Sequence, residues 1–253
     1  MKTIPISVTV LTKNCQDTLE STLRSVALFE EVVVLDTGSS DATLNIAKTF
    51  PNVVVHTADF NGFGPMHNVA TSLASRDWVL SLDSDEVLSE GLIEEIQNLD
   101  LDPINVYFIQ RFNYFNDKHI KWCGGWHPDI VCRLYHRKTT HFNDVPVHEK
   151  IMTNGLVEMQ LAHPIFHTPY RKMSDFLTKM QTYTSLFAQQ HQGKKRSSFF
   201  KALYHGWFAF LKSYVFKKGF LGGKEGFLIS LYNSHTAFYK YLKLAESNRS
   251  IPK

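Results

Sequence analysis

The densest group of acids lies in "WVLSLDSDEVL", residues 78–88, where Asp83, Asp85 and Glu86 directly follow an apolar run. If the backbone stays extended there, residues i and i+2 project to one side, so Asp83 and Asp85 can share a ligand. Paired carboxylate oxygens suit a hard cation, Mg2+ or Mn2+, with substrate phosphates completing its shell. Spacing alone is a weak signal, because "NLDLDP" holds a second such pair, Asp100 and Asp102. That pair sits in a solvated loop before Pro103, whereas Asp83 and Asp85 leave the end of a strand. Glu86 is assigned to the following turn.

A second strand end carries Asp36, in "VVVLDTGSSDAT", followed by a Gly-Ser turn and a helix start. Amides in such a turn can approach a nucleotide closely, and the carboxylate can accept from a base or ribose hydroxyl. Capping and turn formation is the plainer role for an Asp, and it is preferred for Asp41. Asn14, after the strand "VLT", faces the same rim. The 12 histidines do not make a zinc site, since His136, His141, His148 and His163 lack paired ligand spacing. His167, closing "AHPIFH", is a candidate further ligand for the cation. Trp122 and Trp126 offer sugar-stacking faces, with ordinary packing an equal account, and Arg133 could meet an acidic acceptor.

These residues need a scaffold, and the first hundred positions supply one. The strand "ISVTVLT" leads into a helix over "DTLESTLRSVALF", with Asp17 as N-cap and Glu20 completing a capping box. Strands "EVVVLD", "NVVVH", "DWVLSLD" and "NVYFIQRF" then alternate with helices "ATLNIAKTF", "GPMHNVATSLA" and "SEGLIEEIQNL". This alternation predicts an α/β layer with a mostly parallel central sheet, which gathers ligands at the carboxyl ends of its strands. After Phe112 the pattern loosens into aromatics, His, Gly and Pro, and from Ser174 long helices return. The expected divisions are 1–112, a nucleotide-binding half; 113–170, an acceptor and catalytic half; and 171–253, a helical C-terminal extension.

Charge is divided unevenly. Residues 168–253 hold 15 Lys and Arg against three acids, while the remainder holds 12 basic and 21 acidic residues. The tail is therefore +12 and the body −9, which points to an anionic partner for the tail, nucleic acid or a membrane surface. Phe199, Phe200, Leu203, Trp207, Phe210 and Leu211 form a helical stripe beside Lys201, Lys212, Lys217 and Lys218. It could pack on the domain, but the preferred reading is an interfacial helix by which the basic C-terminal helices meet the inner-membrane surface. No run reaches bilayer-spanning length and no signal segment opens the sequence. Cys15, Cys123 and Cys132 fit no metal pattern and read as thiols of a reducing compartment, so a cytoplasmic location is expected.

In order, spacing and strand-end placement, "ISVTVLTKN", "VVVLDTGSSDAT" and "WVLSLDSDE" together resemble the nucleotide-sugar half of inverting GT-A glycosyltransferases of family 2. "GFGPMHNVA", "GGWHPDIVCRLYHR", "FNDVPVHEKI" and "GFLGGKEGF" further resemble the lipopolysaccharide inner-core β-1,4-glucosyltransferase branch. The resemblance implies a GT-A fold and transfer of a hexose, glucose from UDP-glucose, to a heptose of the lipopolysaccharide core at the inner membrane face. It implies donor contacts from Thr12, Asn14, Asp36, Asn68 and Asp83, and a divalent cation at Asp83 and Asp85. Glu149 is the implied catalytic base, with Asp144 and Asp129 in reserve. Acceptor contacts would come from Trp126, Asp129, Arg133 and His148. His67 stands where Arg is more usual. Three rival readings stand beside this one: another lipid-linked or capsular acceptor, a nucleic-acid-binding module using the basic tail, and an inactive sugar-nucleotide sensor. No nucleic acid partner is expected, because unmetallated carboxylates at the rim would repel phosphates.

Overall fold

The computed structural model describes residues 3–146 and 149–249. Packing divides the chain into two units, residues 1–112 with 130–167, and residues 113–129 with 168–253. The sequence boundary at 112 coincides with a break, but the expected middle segment 113–170 does not stay together. Residues 113–129 pack with the helices, and 130–167 return to the sheet. A strand has no core of its own, so "IVCRLYH" completes the sheet that its apolar face can cover.

In the first unit the strands are β1 (Ile4–Thr12), β2 (Phe29–Asp36), β3 (Val53–Thr57), β4 (Trp78–Asp83), β5 (Glu86–Leu88), β6 (Asn105–Phe115, whose last three residues belong to the second unit), β8 (Ile130–His136), β9 (Val157–Gln160) and β10 (Ile165–His167), with β7 (Lys118–His119) in the second unit. Helices α1 (Leu19–Ser25), α2 (Thr43–Ala47), α3 (Phe63–Leu73) and α4 (Glu90–Gln97) connect them. The sheet order is β3-β2-β1-β4-β8-β6-β10-β5, with β9 beside β6. Strands β3, β2, β1 and β4 are mutually parallel, and β8 is antiparallel to both β4 and β6. The core is built from β-branched and leucine side chains: Ile4, Ile6, Val8 and Val10 of β1 pack with Leu19 and Leu23 of α1 and with Val32 and Val34 of β2. Each fully buried side chain of this size contributes about 1.5–3 kcal/mol over its exposed state.

The expected capping box at Asp17 does not form. Helix α1 starts two residues later, its N-cap Thr18 makes no side-chain cap bond, and Glu20 pairs with Arg24 at 2.6 Å instead. An i,i+4 ion pair on the solvated face is an alternative use of the same glutamate. Helix α4 is capped as its sequence suggests, with Ser89 accepting from the Leu92 amide.

The second unit contains α5 (Met173–His191), α6 (Phe199–Leu211) and α7 (Gly223–Arg249). Between α6 and α7 the chain makes a wide turn over Lys212–Phe216 and a tight one over Gly219–Gly222. Its core joins Phe115, Ile120, Cys123, Trp126, Phe176 and Ile229. Among the described residues no helix is long and apolar enough to cross a membrane.

Candidate functional site

Strand register is what turns the sequence motifs into a site. Thr12 of β1 pairs with Asp36 of β2, Asp36 pairs with Thr57 of β3, and Leu11 pairs with Asp83 of β4. All these strands are parallel, so their carboxyl ends share one rim. The antiparallel β8 enters at that rim and carries Arg133 at its middle, and β6 leaves there with Arg111. The pairing of His167 with Glu86 brings β10 alongside.

The Asp36 turn is closed upon itself. Oδ1 accepts from the hydroxyls of Thr12 (2.9 Å) and Ser39 (2.5 Å), and Oδ2 accepts from the amides of Gly38 (3.0 Å) and Ser39 (2.8 Å). Asn14 adds a stitch from the other strand, its Oδ1 accepting from the Ser40 amide at 2.8 Å. Burial opposes ionisation of Asp36, yet the Ser39, Thr12 and Gly38 donors hold its carboxyl below the ordinary range. Four donors match the four lone-pair sites of a carboxylate. Thr12 and Asp36, expected as donor contacts, thus shape the 37–40 turn. Asp41 has the turn role expected of it, accepting from the Thr43 and Gln16 amides.

The acids after β4 fall into two environments. Arg133 Nη2 stands 2.5 Å from both Asp83 Oδ2 and Glu86 Oε1, and Arg111 Nη1 lies 3.4 Å and 3.0 Å from the same two oxygens. Glu86 is fully buried, and its other oxygen accepts from the Asp83 amide at 2.9 Å. It therefore serves the turn before it and balances the two guanidiniums, instead of serving the following turn. Burial would raise the Asp83 carboxyl, but Arg133 and Arg111 hold it well below the usual carboxylate range. Burial likewise disfavours the charged Arg133, and Asp83 and Glu86 more than restore it. Arg133, expected to meet the acceptor, is a buried counter-charge whose Nη2 is shared between Asp83 and Glu86, and Asp83, expected as a cation ligand, shares its Oδ2 with Arg133 and Arg111. The signal for this was available: a lone Arg inside the strand "IVCRLYH" needs an internal carboxylate partner.

Asp85 points elsewhere. Its Oδ1 lies 3.5 Å from Nε2 of His167, and both side chains are largely covered. A carboxylate and an imidazole form a two-donor set that suits Mn2+ or a similar ion when substrate oxygens fill the remaining positions. Among the described residues no three His, Cys, Asp or Glu side chains form a group able to hold a metal by themselves. The donors fit a cation shared with a ligand, not one caged by protein.

A third cluster joins α3 to the 142–151 loop. Asn68 Oδ1 accepts from the Phe142 amide and its Nδ2 donates to the Phe142 carbonyl, both at 2.9 Å, and to Asp144 at 3.1 Å. Gly64 permits this approach, because a Cβ there would stand 2.1 Å from the Asn143 carbonyl oxygen. Asn68, expected as a donor contact, thus clamps α3 to this loop, and Asp144 is tied to it. His67 is buried, stacked on Phe142 (4.4 Å between centroids), with Nδ1 3.2 Å from Ser81 Oγ and Nε2 4.0 Å from Glu149 Oε1. Burial pushes the imidazole down to about 4, with Asp83 opposing and Arg133 assisting. Glu149 retains partial exposure. His148 lies outside the described residues.

The other expected acceptor contacts fall in the second unit. Trp126 is buried and stacked on Tyr170 at 5.6 Å, so its faces serve packing and not a sugar. Asp129 accepts from Asn113 at 3.0 Å.

Several known proteins are similar to this chain along most of its length. An uncharacterised glycosyltransferase of Rickettsia prowazekii is 30% identical over 95% of this chain and 86% of its own length. The lipopolysaccharide core biosynthesis glycosyltransferase LpsC of Rhizobium meliloti is 24% identical over 95% of this chain and 92% of its own. Among solved structures, S. aureus TarS (residues 1–349, with UDP) is similar at 17% identity and a TM-score of 0.49, covering 97% of this chain and 91% of that one. The family model "Glycosyl transferase family 2" matches residues 7–166, a span that holds Thr12, Asp36, Asp83, Arg111 and Arg133 and ends one residue before His167. The chain belongs to glycosyl transferase family 2, with a GT-A fold of mixed, mostly parallel sheet and C-terminal helices.

Proposed function

We propose that the protein transfers a hexose from a UDP-sugar, glucose from UDP-glucose, to a heptose of the lipopolysaccharide inner core with inversion. The observation that carries the reading is the separation of Asp85 from Asp83: one carboxylate is neutralised by arginine, and the other stands beside His167. Asp85 and His167 would hold a divalent cation on the donor diphosphate. When bound, that cation supplies Lewis-acid neutralisation of the charge left on the diphosphate as the sugar–phosphate bond breaks. The pre-formed 37–40 turn and Asp83 supply the floor for the nucleoside. Glu149 takes the proton from the acceptor hydroxyl as its oxygen attacks the anomeric carbon. A lipopolysaccharide-core acceptor is supported by likeness to LpsC along nearly the whole chain, and heptose is the acceptor sugar that the sequence resemblance implies. Such an acceptor is lipid-anchored, so the protein works at the cytoplasmic face of the inner membrane.

Thermal shift with a panel of UDP-sugars, with and without Mn2+, tests the donor and the cation together. Bound ligand at 100 times its Kd stabilises by about 2.7 kcal/mol. UDP-glucose should raise Tm only with the metal, and Asp85→Ala should abolish the increment. Full stabilisation by UDP-glucose with chelator present would remove the cation from the reading. Truncated lipopolysaccharide cores as acceptors then separate the heptose from other lipid-linked or capsular glycans.

A further inference from the structure

Helix α6 is inverted with respect to side-chain size. Its buried residues are Ala202 and Gly206, and the stripe continues to the buried Ser213 in the turn beyond. A Cβ on Gly206 would stand 3.0 Å from Cβ of Phe238 and 3.3 Å from the Ser234 carbonyl, so small residues are what let α6 lie against α7. The large apolar side chains point outward: Phe200 is 80% exposed and Trp207 61%, and Phe199, Leu203, Tyr204 and Phe208 are exposed with them. The turns after α6 continue the surface through Val215, Phe216, Phe220 and Leu221. Positions 200, 203, 204, 207 and 208 recur at helical spacing on one face, which makes a continuous apolar patch and not scattered exposures.

The charge along the segment that carries this patch is of one sign. From residue 176 to 224 the sequence holds nine Lys or Arg and no Asp or Glu. Lys212, Lys217 and Lys218 are exposed in the same segment as the aromatics. Aromatic side chains flanked by lysines match the layered chemistry of an anionic bilayer surface, with acyl chains beneath and phosphates above. With 13 residues, α6 is too short to span a bilayer and suited to lying in its interface.

We propose that the outer face of α6 and the turns through Leu221 enter the headgroup layer of an anionic membrane, with Lys212, Lys217 and Lys218 on the lipid phosphates. This extends the reading of a lipid-anchored acceptor by naming the surface that meets the lipid. The test contains neither donor nor acceptor, so its failure leaves the transferase reading standing, and the reverse also holds.

The full chain is floated with vesicles of phosphatidylcholine alone and of phosphatidylcholine with phosphatidylglycerol, at about 0.1 M salt where charges act over roughly 10 Å. Binding is expected on the anionic vesicles and not on the neutral ones. The pair Lys212→Gln/Lys217→Gln should weaken it about thirtyfold, and Phe200→Ser/Trp207→Ser at least about tenfold. All four positions are solvent-facing, and an unchanged melting temperature checks that each variant is folded. Absence of binding to anionic vesicles, or undiminished binding by the aromatic variant, overturns the proposal. So does a dimer in sedimentation that Phe200→Ser/Trp207→Ser converts to monomer while lipid binding is absent, since the face would then belong to a second copy.

Discussion

Nη2 of Arg133 stands 2.5 Å from Oδ2 of Asp83, so the first acid of the pair is neutralised from within the protein. The same guanidinium also meets the fully buried Glu86, and Arg111 closes the group. Replacing Arg133 by Met keeps volume but strips a buried carboxylate of its nearest cation. Breaking a buried pair in this way costs about 3–5 kcal/mol. Urea unfolding of Arg133→Met should show that loss. A change under about 1 kcal/mol would mean that Arg111 alone balances both acids.

Asp36 accepts four hydrogen bonds from its own turn and from β1. Asp36→Asn keeps the shape but replaces one acceptor oxygen with a donor facing donors. We expect a stability loss of about 1–3 kcal/mol, measured by urea unfolding, together with weaker UDP-sugar binding by calorimetry. Unchanged stability would count against the turn-shaping role.

Glu149 sits on a loop held to α3 through Asn68 and Phe142, with His67 4.0 Å away. If it takes the acceptor proton, Glu149→Gln should lower kcat by about 10²–10⁴-fold and leave donor affinity within about twofold of wild type, a difference of roughly 0.4 kcal/mol. Steady-state kinetics beside donor titration separates these effects. Undiminished turnover would pass the role to another group.

The buried His67 makes the fold sensitive to mild acid. Unfolded, its imidazole takes a proton near pH 6.5; folded, burial delays this to about 4. Between those values the unfolded chain binds the extra proton, so stability falls as pH is lowered through the window, by up to about 3 kcal/mol. Below about pH 4 both states are protonated and this contribution stops changing. Chemical denaturation from pH 7 to 4 should show the slope in wild type and a shallower one in His67→Gln. Equal slopes would place the acid sensitivity in other groups.

The sequence by itself determined the alternating α/β order, the strand-end position of Asp36, Asp83 and Asp85, and the uneven charge of the tail. Those features are local: hydrophobic period, turn residues and simple counts report them directly. Tertiary structure alone decided which acid is paired with arginine and which with histidine. Asp83 and Asp85 look equivalent in "LDSDE", yet Arg133 reaches Asp83 from a strand 50 residues away, and His167 reaches Asp85 from β10. Likewise the sequence leaves the stripe of α6 able to pack on the domain or to meet a membrane until Gly206 and Ala202 are seen turned toward α7. Hydrophobic period marks a face but not which face is covered, because close helix approach can select the small side chains and leave the large ones in water. Counter-charges and burial depend on strand pairing and helix contacts between distant segments, and local sequence carries no record of those distances.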